Sequence, residues 1–105
     1  MKFDIKRGDT SPALSRVLRD GNGATINLVG ATVVFSMWLR GAPATINKAA
    51  ATVGPANGQV VYAWQVGDTA QAGAYFGEFK VTYADGTIET FPNDSNMVIL
   101  VNQGL

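Results

Sequence analysis

The sequence predicts an all-β fold, namely an antiparallel β-sandwich of about seven to nine short strands. Apolar and polar residues alternate with a period of two along several segments, and no segment is dominated by the helical period of about 3.6 residues. Turns rich in glycine, asparagine and aspartate divide these segments at intervals of about 8–12 residues. The length of 105 residues fits a single domain, residues 1–105.

The alternation is clearest in residues 31–40 and 73–84, where each strand has one apolar face and one more polar face. Residues 97–101 are apolar throughout, which is typical of a strand with little solvent contact. The alanines of residues 49–51 are too few to nucleate a helix, so this segment is also assigned to a strand. Strands are predicted near residues 2–6, 13–20, 24–29, 31–40, 44–53, 58–65, 73–84, 86–92 and 96–102.

Turn residues separate the predicted strands. Glycine adopts a positive φ without steric cost, and aspartate or asparagine beside it bonds to nearby backbone groups. The tripeptide Gly-Asp-Thr occurs at residues 8–10 and 67–69, and we interpret both copies as local turns rather than as a sign of duplication. Further turns are predicted at residues 20–23, 55–58, 84–87 and 92–96.

A tyrosine at the start of one predicted strand bears on which type of β-sandwich the chain forms. In immunoglobulin-like domains, a tyrosine two residues before the second cysteine bonds back to the upstream backbone. Tyr75 stands where that tyrosine would be, and Gly77 stands in place of the cysteine. Two interpretations are open at this point: such a tyrosine corner, or an ordinary tyrosine of the core.

The composition excludes several kinds of chemistry. Without cysteine or histidine, the chain has no disulfide, no zinc finger and no Cys–His or Ser–His catalytic pair. Most carboxylates lie in predicted turns or on solvent faces; Glu78 and Glu89 are placed to face each other across a hairpin, but two exposed carboxylates make a weak site. We therefore expect no enzyme activity, no metal and no cofactor.

The net charge and the hydropathy of the sequence indicate which classes of partner are favoured. The net charge is zero, which disfavours nucleic acid. No apolar run is long enough for a membrane helix, and residues 1–6 contain no apolar region of the kind that a signal peptide has. Residues 1–40 hold six basic and three acidic residues, whereas residues 41–105 hold two and five. If these halves segregate in space, the domain has a basic and an acidic side suited to head-to-tail packing. If the strands interleave, the charges mix.

Several segments, taken in order, are similar to one known family. They begin with FDIKRGDTSPAL, and the full set comprises residues 3–14, 28–37, 58–64, 67–69, 73–79, 85–87 and 90–93. On these segments the chain resembles the N-terminal domain of tailed-phage baseplate upper proteins. The resemblance covers nearly the whole chain, and the ordered set is more specific than any single segment.

The resemblance implies an immunoglobulin-like sandwich that is a structural part of a virion, made in the host cytoplasm. Its expected partners are other virion proteins of the tail, baseplate or capsid, joined in multiple copies, without nucleic acid or membrane. Residues 1–105 contain no coiled-coil linker and no receptor-binding module. Among the roles that the resemblance leaves open, the favoured function is a tail or baseplate adaptor. A capsid decoration protein and a cell-surface carbohydrate-binding module are the alternatives.

Candidate contact residues are aromatic, aliphatic or basic. Trp38 and Phe76 lie opposite the apolar stripes of their strands, so they are interface anchors, a sugar-stacking platform, or core residues of strands buried on both faces. The N-terminal strand is a candidate for adding to the edge of a neighbouring sheet. The predicted contact residues are Phe3, Ile5, Arg16, Arg19, Trp38 and Arg40.

Overall fold

The computed structural model describes residues 2–53, 58–92 and 97–104, and these residues form eight strands and no helix. This confirms the predicted all-β class. The strands are β1 (Lys2–Lys6), β2 (Leu14–Val17), β3 (Thr32–Leu39), β4 (Ala44–Val53), β5 (Gln59–Tyr62), β6 (Gly73–Thr82), β7 (Ile88–Phe91) and β8 (Met97–Asn102).

The strands form two hydrogen-bonded layers joined by β4. In the larger layer, the strand order is β1-β8-β6-β3-β4, and β7 pairs with the second half of β6. In the smaller layer, β5 pairs with β2 and with the last two residues of β4. Because β4 runs from one layer into the other, the two sheets are continuous at this corner and close over a shared core.

The strand pairing and one hydrogen bond give the immunoglobulin-like arrangement. Strands β2 and β5 pair in one layer, while β3, β6 and β8 pair in the other. The hydroxyl of Tyr75 donates to the backbone oxygen of Gln71 at 2.7 Å, so the predicted tyrosine corner is confirmed. One detail differs from an antiparallel sandwich: β1 runs parallel to β8, from Lys2 beside Val98 to Lys6 beside Asn102.

Aromatic side chains from both layers fill the core. The ring of Phe35 lies 4.8 Å from that of Tyr62, 5.1 Å from that of Phe79 and 6.0 Å from that of Trp64. Gly77 lies beside this cluster, where a Cβ atom would be 2.5 Å from Cδ1 of Ile99. The close approach of these side chains explains why glycine occupies this position.

The strand predicted at residues 24–29 is wrong. This segment forms only a single bridge, between Arg19 and Thr25. Two backbone bonds accompany this bridge, from Ile26 N–H to the Leu18 oxygen and from Asp20 N–H to the Ala24 oxygen. Side chains hold the rest: the Asp20 carboxylate accepts from the N–H groups of Asn22 and Ala24, and the Asn27 side-chain oxygen accepts from the N–H of Val29. Such local bonds compete with the sheet ladder, so the segment crosses the end of the sandwich as a loop.

Strand β4 is formed as predicted but carries two irregularities. Its register against β3 shifts twice, between Phe35 and Met37 and between Met37 and Trp38. Lys48 lies at the first shift with a φ of 57°, and its N–H donates to the Ser36 hydroxyl at 3.1 Å. These bulges bend the strand, which favours its passage from the larger to the smaller sheet.

The predicted turns that fall within the described residues are confirmed. The hairpin at residues 84–87 closes through a bond from Tyr83 N–H to the Thr87 oxygen, and Asp85 accepts from the Thr87 hydroxyl. The bond from the Thr87 hydroxyl, and then the bond from the Thr87 N–H, hold the pKa of Asp85 below its usual value. The two Gly-Asp-Thr turns contact each other, because the Thr69 hydroxyl donates to the Asp9 backbone oxygen. The turns at 55–57 and 93–96 lie outside the described residues.

Candidate functional site

The outer surface of the larger sheet carries a cluster of apolar side chains, which we call the outer patch. Its members lie on three neighbouring strands and are half-buried: Trp38, Phe76, Val98 and Leu100. Register places Trp38 opposite Phe76, Phe76 opposite Val98, and Leu100 opposite Ala74. The cluster therefore crosses three adjacent strands side by side.

The alternation of β-strand side chains builds the outer patch. On β6, Tyr75, Gly77 and Phe79 are buried, so Phe76 between them points to the other side of the sheet. The rings of Trp38 and Phe76 make contact there, with centroids 6.2 Å apart and planes inclined by 51°. Of the three interpretations of these aromatics, burial on both faces is thus wrong, because both rings retain solvent contact.

Charged residues flank the outer patch on both sides along the strands. Glu78 lies two residues after Phe76 on β6, on the same face of the sheet and opposite Ser36 of β3. On the other side, Arg40 directly follows the end of β3 and is exposed. An apolar centre with a charged rim is the usual composition of a protein-binding surface.

The six predicted contact residues do not form one surface. Trp38 belongs to the outer patch, and Arg40 lies at its margin. Ile5 is 4% exposed and part of the core, while Phe3 packs its ring 5.9 Å from that of Trp64. A contact made by β1 would therefore use its backbone edge, since β1 is the terminal strand of the larger sheet.

The two predicted arginines lie at the smaller sheet. Arg16 shares a side of β2 with the buried Leu14 and is paired with the buried Val60; burial lowers the pKa of its guanidinium. An inward-pointing charge on an edge strand opposes the addition of another strand. Arg19 is exposed and donates to the backbone oxygen of Gly23 at 3.0 Å, so it stabilises its own turn.

The charge split along the sequence does not become a split in space. Strands from residues 1–40 alternate with strands from residues 41–105: β1 pairs with β8, β2 with β5, and β3 lies between β4 and β6. The interleaved arrangement was one of the two expectations for this feature. The surface relevant to binding is consequently local rather than a whole basic or acidic side.

The expected facing of Glu78 and Glu89 is wrong. Glu89 pairs with Val81 and so lies on the inner side of its hairpin, whereas Glu78 lies on the outer face. The Tyr83 hydroxyl donates to Oε1 of Glu89 at 2.7 Å. Burial, and then this bond to the carboxylate, raises the pKa of Tyr83 to about 12. The two carboxylates therefore cannot act together on one substrate.

An open depression of about 210 Å³ lies beside β1, and the carboxylates of Asp4 and Asp9 are among the groups that line it. Asp4 accepts from Nδ2 of Asn102 at 3.3 Å and lies 4.0 Å from Nζ of Lys2, while Asp9 lies in the turn after β1. Throughout residues 2–53, 58–92 and 97–104, three or more potential metal ligands of the His, Cys, Asp and Glu types do not come together. The depression therefore holds these two carboxylates without a third potential ligand beside them in the described part of the chain.

Comparisons with known proteins give no relatives for this chain: no protein-family model matches it, and no curated protein matches it. In the described part of the chain, there is also no helix that is long and apolar enough to cross a membrane.

Sequence reasoning found only part of this surface. Trp38 and Phe76 were singled out because they oppose the apolar stripes of their strands. Val98 and Leu100 were missed, because the run of residues 97–101 was interpreted as a strand with little solvent contact. Its apolar character on both faces was the available signal: Met97, Ile99 and Val101 fill the core, and the alternate residues extend the outer patch.

Proposed function

We propose that this protein is an immunoglobulin-like attachment module of a tailed-phage virion, acting through protein–protein contacts as a tail or baseplate adaptor. The observation that carries the binding role is the outer patch, where the half-buried rings of Trp38 and Phe76 contact each other on the outer face of the larger sheet. A few residues carry most of the binding energy of a protein interface, and tryptophan is enriched among them. The virion assignment is carried by the ordered segments that resemble the baseplate family.

The edges of the sandwich are less suited to this role than the face. The terminal strand β1 has charged Lys2, Asp4 and Lys6 on its outer side, and the terminal strand β2 carries the inward-pointing Arg16. Charges in these positions oppose the pairing of an added strand. The outer patch has apolar side chains at its centre, so docking there removes apolar surface from water.

Incorporation into particles tests the proposal. Host cells infected with a phage that lacks its own copy would supply the wild-type protein, the double variant Trp38→Ser/Phe76→Ser, or the control Ile88→Ser. Ile88 is 63% exposed and lies outside the outer patch, so the control removes apolar surface elsewhere. We expect wild type and control on purified particles and at least a tenfold loss of the double variant by quantitative mass spectrometry, about 1.4 kcal/mol of binding.

Two results would contradict this proposal. Absence of the wild-type protein from particles would exclude the virion role. Equal incorporation of the double variant, shown to be folded by thermal unfolding, would exclude the outer patch as the attachment surface. The location of the copies also separates the alternatives: many copies on heads indicate capsid decoration, and a few on tails indicate the adaptor.

Carbohydrate binding is the second candidate, because exposed aromatics also stack on sugar rings. The inclination of 51° between the rings of Trp38 and Phe76 disfavours it, since the two rings do not form a flat platform. A glycan array would distinguish the candidates: specific binding that is lost in Trp38→Ser would favour the carbohydrate-binding module.

A further inference from the structure

We infer that Asn22 is a site of spontaneous deamidation, at which the chain modifies itself with water as the co-reactant, and that the turn around Asn22 restrains the reaction. This inference goes beyond the proposed function and does not depend on it. It rests on the residue that follows Asn22, on the exposure of the turn and on the hydrogen bonds within the turn.

The first observation is an asparagine followed by a glycine. Asn-Gly occurs at residues 22–23 and 57–58. Asn57 lies outside the described residues, whereas Asn22 and Gly23 are both described and exposed. Glycine has no Cβ atom, so its backbone nitrogen is the least shielded that can follow an asparagine. The space around Gly23 is also open, because a Cβ atom built there would meet no atom within 4 Å.

The reaction joins the Asn22 side chain to the peptide group that follows it. The backbone nitrogen of Gly23 loses its proton to water or hydroxide and attacks Cγ of Asn22, so that a new C–N bond forms. The bond from Cγ to the side-chain nitrogen breaks, and that nitrogen leaves as ammonia. Water then opens the resulting cyclic imide at either carbonyl, which gives aspartate or isoaspartate.

The side-chain amide of Asn22 is free to react, and Asn27 provides the contrast. Among the described residues, the Asn22 side chain has no hydrogen-bond partner, although its backbone N–H donates to Oδ1 of Asp20. The side-chain oxygen of Asn27 accepts from the N–H of Val29 at 3.0 Å. The residue after Asn27 is Leu28, which is 3% exposed. Two asparagines five residues apart therefore differ in both requirements of the reaction.

The turn restrains the attacking nitrogen. The N–H of Gly23 donates to the backbone oxygen of Asp20 at 3.0 Å, and Asp20 N–H donates to the Ala24 oxygen at 2.8 Å. Oδ1 of Asp20 accepts from the N–H groups of Asn22 and Ala24 at 2.9 and 3.0 Å. Because the Gly23 N–H must leave its bond before it loses its proton, the reaction requires local opening of the turn. The negative charge of Asp20 also opposes deprotonation of a nearby group.

The product changes both the charge and the backbone of the turn. A carboxylate replaces the amide, so a chain of zero formal net charge gains one negative charge. In isoaspartate, the main chain also passes through the former side chain and is longer by one carbon atom. The bonds from Gly23 to Asp20 and from Asp20 to Ala24 both span this position, so we expect the turn to open.

Peptide mapping by mass spectrometry tests the site in the intact protein. Wild-type protein is incubated at neutral and at mildly alkaline pH and then cleaved with trypsin, and a sample cleaved without incubation gives the background. Asn22 and Asn27 lie in the same tryptic peptide, residues 20–40, so fragment masses compare them directly. We expect Asn22 to react at least tenfold faster than Asn27, about 1.4 kcal/mol in the barrier, and faster at the alkaline pH.

The variant Asp20→Ala tests the restraint. It removes two bonds within the turn and a neighbouring negative charge, so Asn22 should react at least about threefold faster than in the wild type. The matched control is Asp85→Ala, which removes a carboxylate that holds the Thr87 N–H in another turn. We expect this control to leave the rate at Asn22 unchanged within about twofold. Circular dichroism verifies that each protein stays folded during the incubation.

Two results would overturn the inference. If Asn22 stays intact, or reacts no faster than Asn27, the site is excluded. If Asp20→Ala reacts at the wild-type rate, or Asp85→Ala accelerates the reaction equally, the turn does not restrain it. Particle incorporation enters none of these measurements, so the proposed function stands or fails separately.

Discussion

The two faces of the larger sheet are formed by the same strands and yet differ in packing. On the inner face, Phe35 and Phe79 are 0% and 1% exposed; their rings contact each other, and Phe35 also contacts the ring of Tyr62 in the smaller sheet. On the outer face, Trp38 and Phe76 contact each other but keep solvent contact. The comparison shows that apolar character alone does not separate core from binding surface; what separates them is whether a second layer covers the face.

The largest expected effect is a loss of stability from truncation on the inner face. Phe35→Ala should lower the free energy of unfolding by about 3–5 kcal/mol, because it leaves a cavity among closely packed aromatic rings. The outer-face counterpart Trp38→Ala should cost only about 1–2 kcal/mol, since part of that ring is already in water. Urea unfolding monitored by circular dichroism measures both; equal losses would show that the two faces are not distinct.

A smaller effect is expected at the tyrosine corner, which anchors the start of β6 and hence both faces. Tyr75→Phe keeps the ring in the core and removes the bond to the Gln71 oxygen. Because Gln71 is exposed and its oxygen can bind water, the loss should be about 1 kcal/mol. Chemical denaturation of the variant gives this value, and an unchanged midpoint would mean that the corner contributes geometry but no stability.

The smallest effect is expected at Tyr83, where the free energy of unfolding should depend on pH in the alkaline range. The pKa of Tyr83 is raised from 10 to about 12, first by burial and then by the bond to Glu89, so the neutral hydroxyl is favoured in the folded state. A raised pKa contributes stability below the unfolded value, about 10, and this contribution is lost as the pH rises through about 12.

Thermal unfolding between pH 8 and pH 12 (the approximate range that spans both values) tests this expectation. Tyr83→Phe should cost about 0.5–1 kcal/mol near neutral pH, where its partly solvated bond is screened. The variant should also lose less stability than wild type on going to high pH. Burial raises the pKa of Tyr62 and Tyr75 in the same direction, so some alkaline loss remains in the variant. Parallel curves for the two proteins would contradict the assignment to Tyr83.

Much of the fold follows from local pattern. The alternation of residues 31–40 and 73–84 predicted β3 and β6 and identified their buried sides, because a period of two defines a face without knowledge of the partner strand. Residues 24–29 show the limit of this reasoning. Their apolar residues are those of a strand, but Asp20 and Asn27 bind the backbone locally and prevent extended pairing.

Of the four residues of the outer patch, only the two aromatic ones could be predicted from the sequence. Their positions on the strands already placed Trp38 and Phe76 opposite the core stripes. That these rings touch, and that Val98 lies beside Phe76, depends on the register between three strands that are distant in the sequence. Register is fixed by the packing of the whole sheet, so the sequence could not show that Arg16 lies in the smaller sheet or that the ring of Phe3 packs beside that of Trp64.

The sequence by itself determined the all-β class, the turns and the inward side of each main strand, since these depend on neighbouring residues and on side-chain alternation. Only the tertiary structure decided that β1 runs parallel to β8, that the two charged halves interleave, and that four half-buried side chains meet on one face. These features join residues far apart in the chain, and their energies depend on which strands become neighbours. No local pattern carries that information.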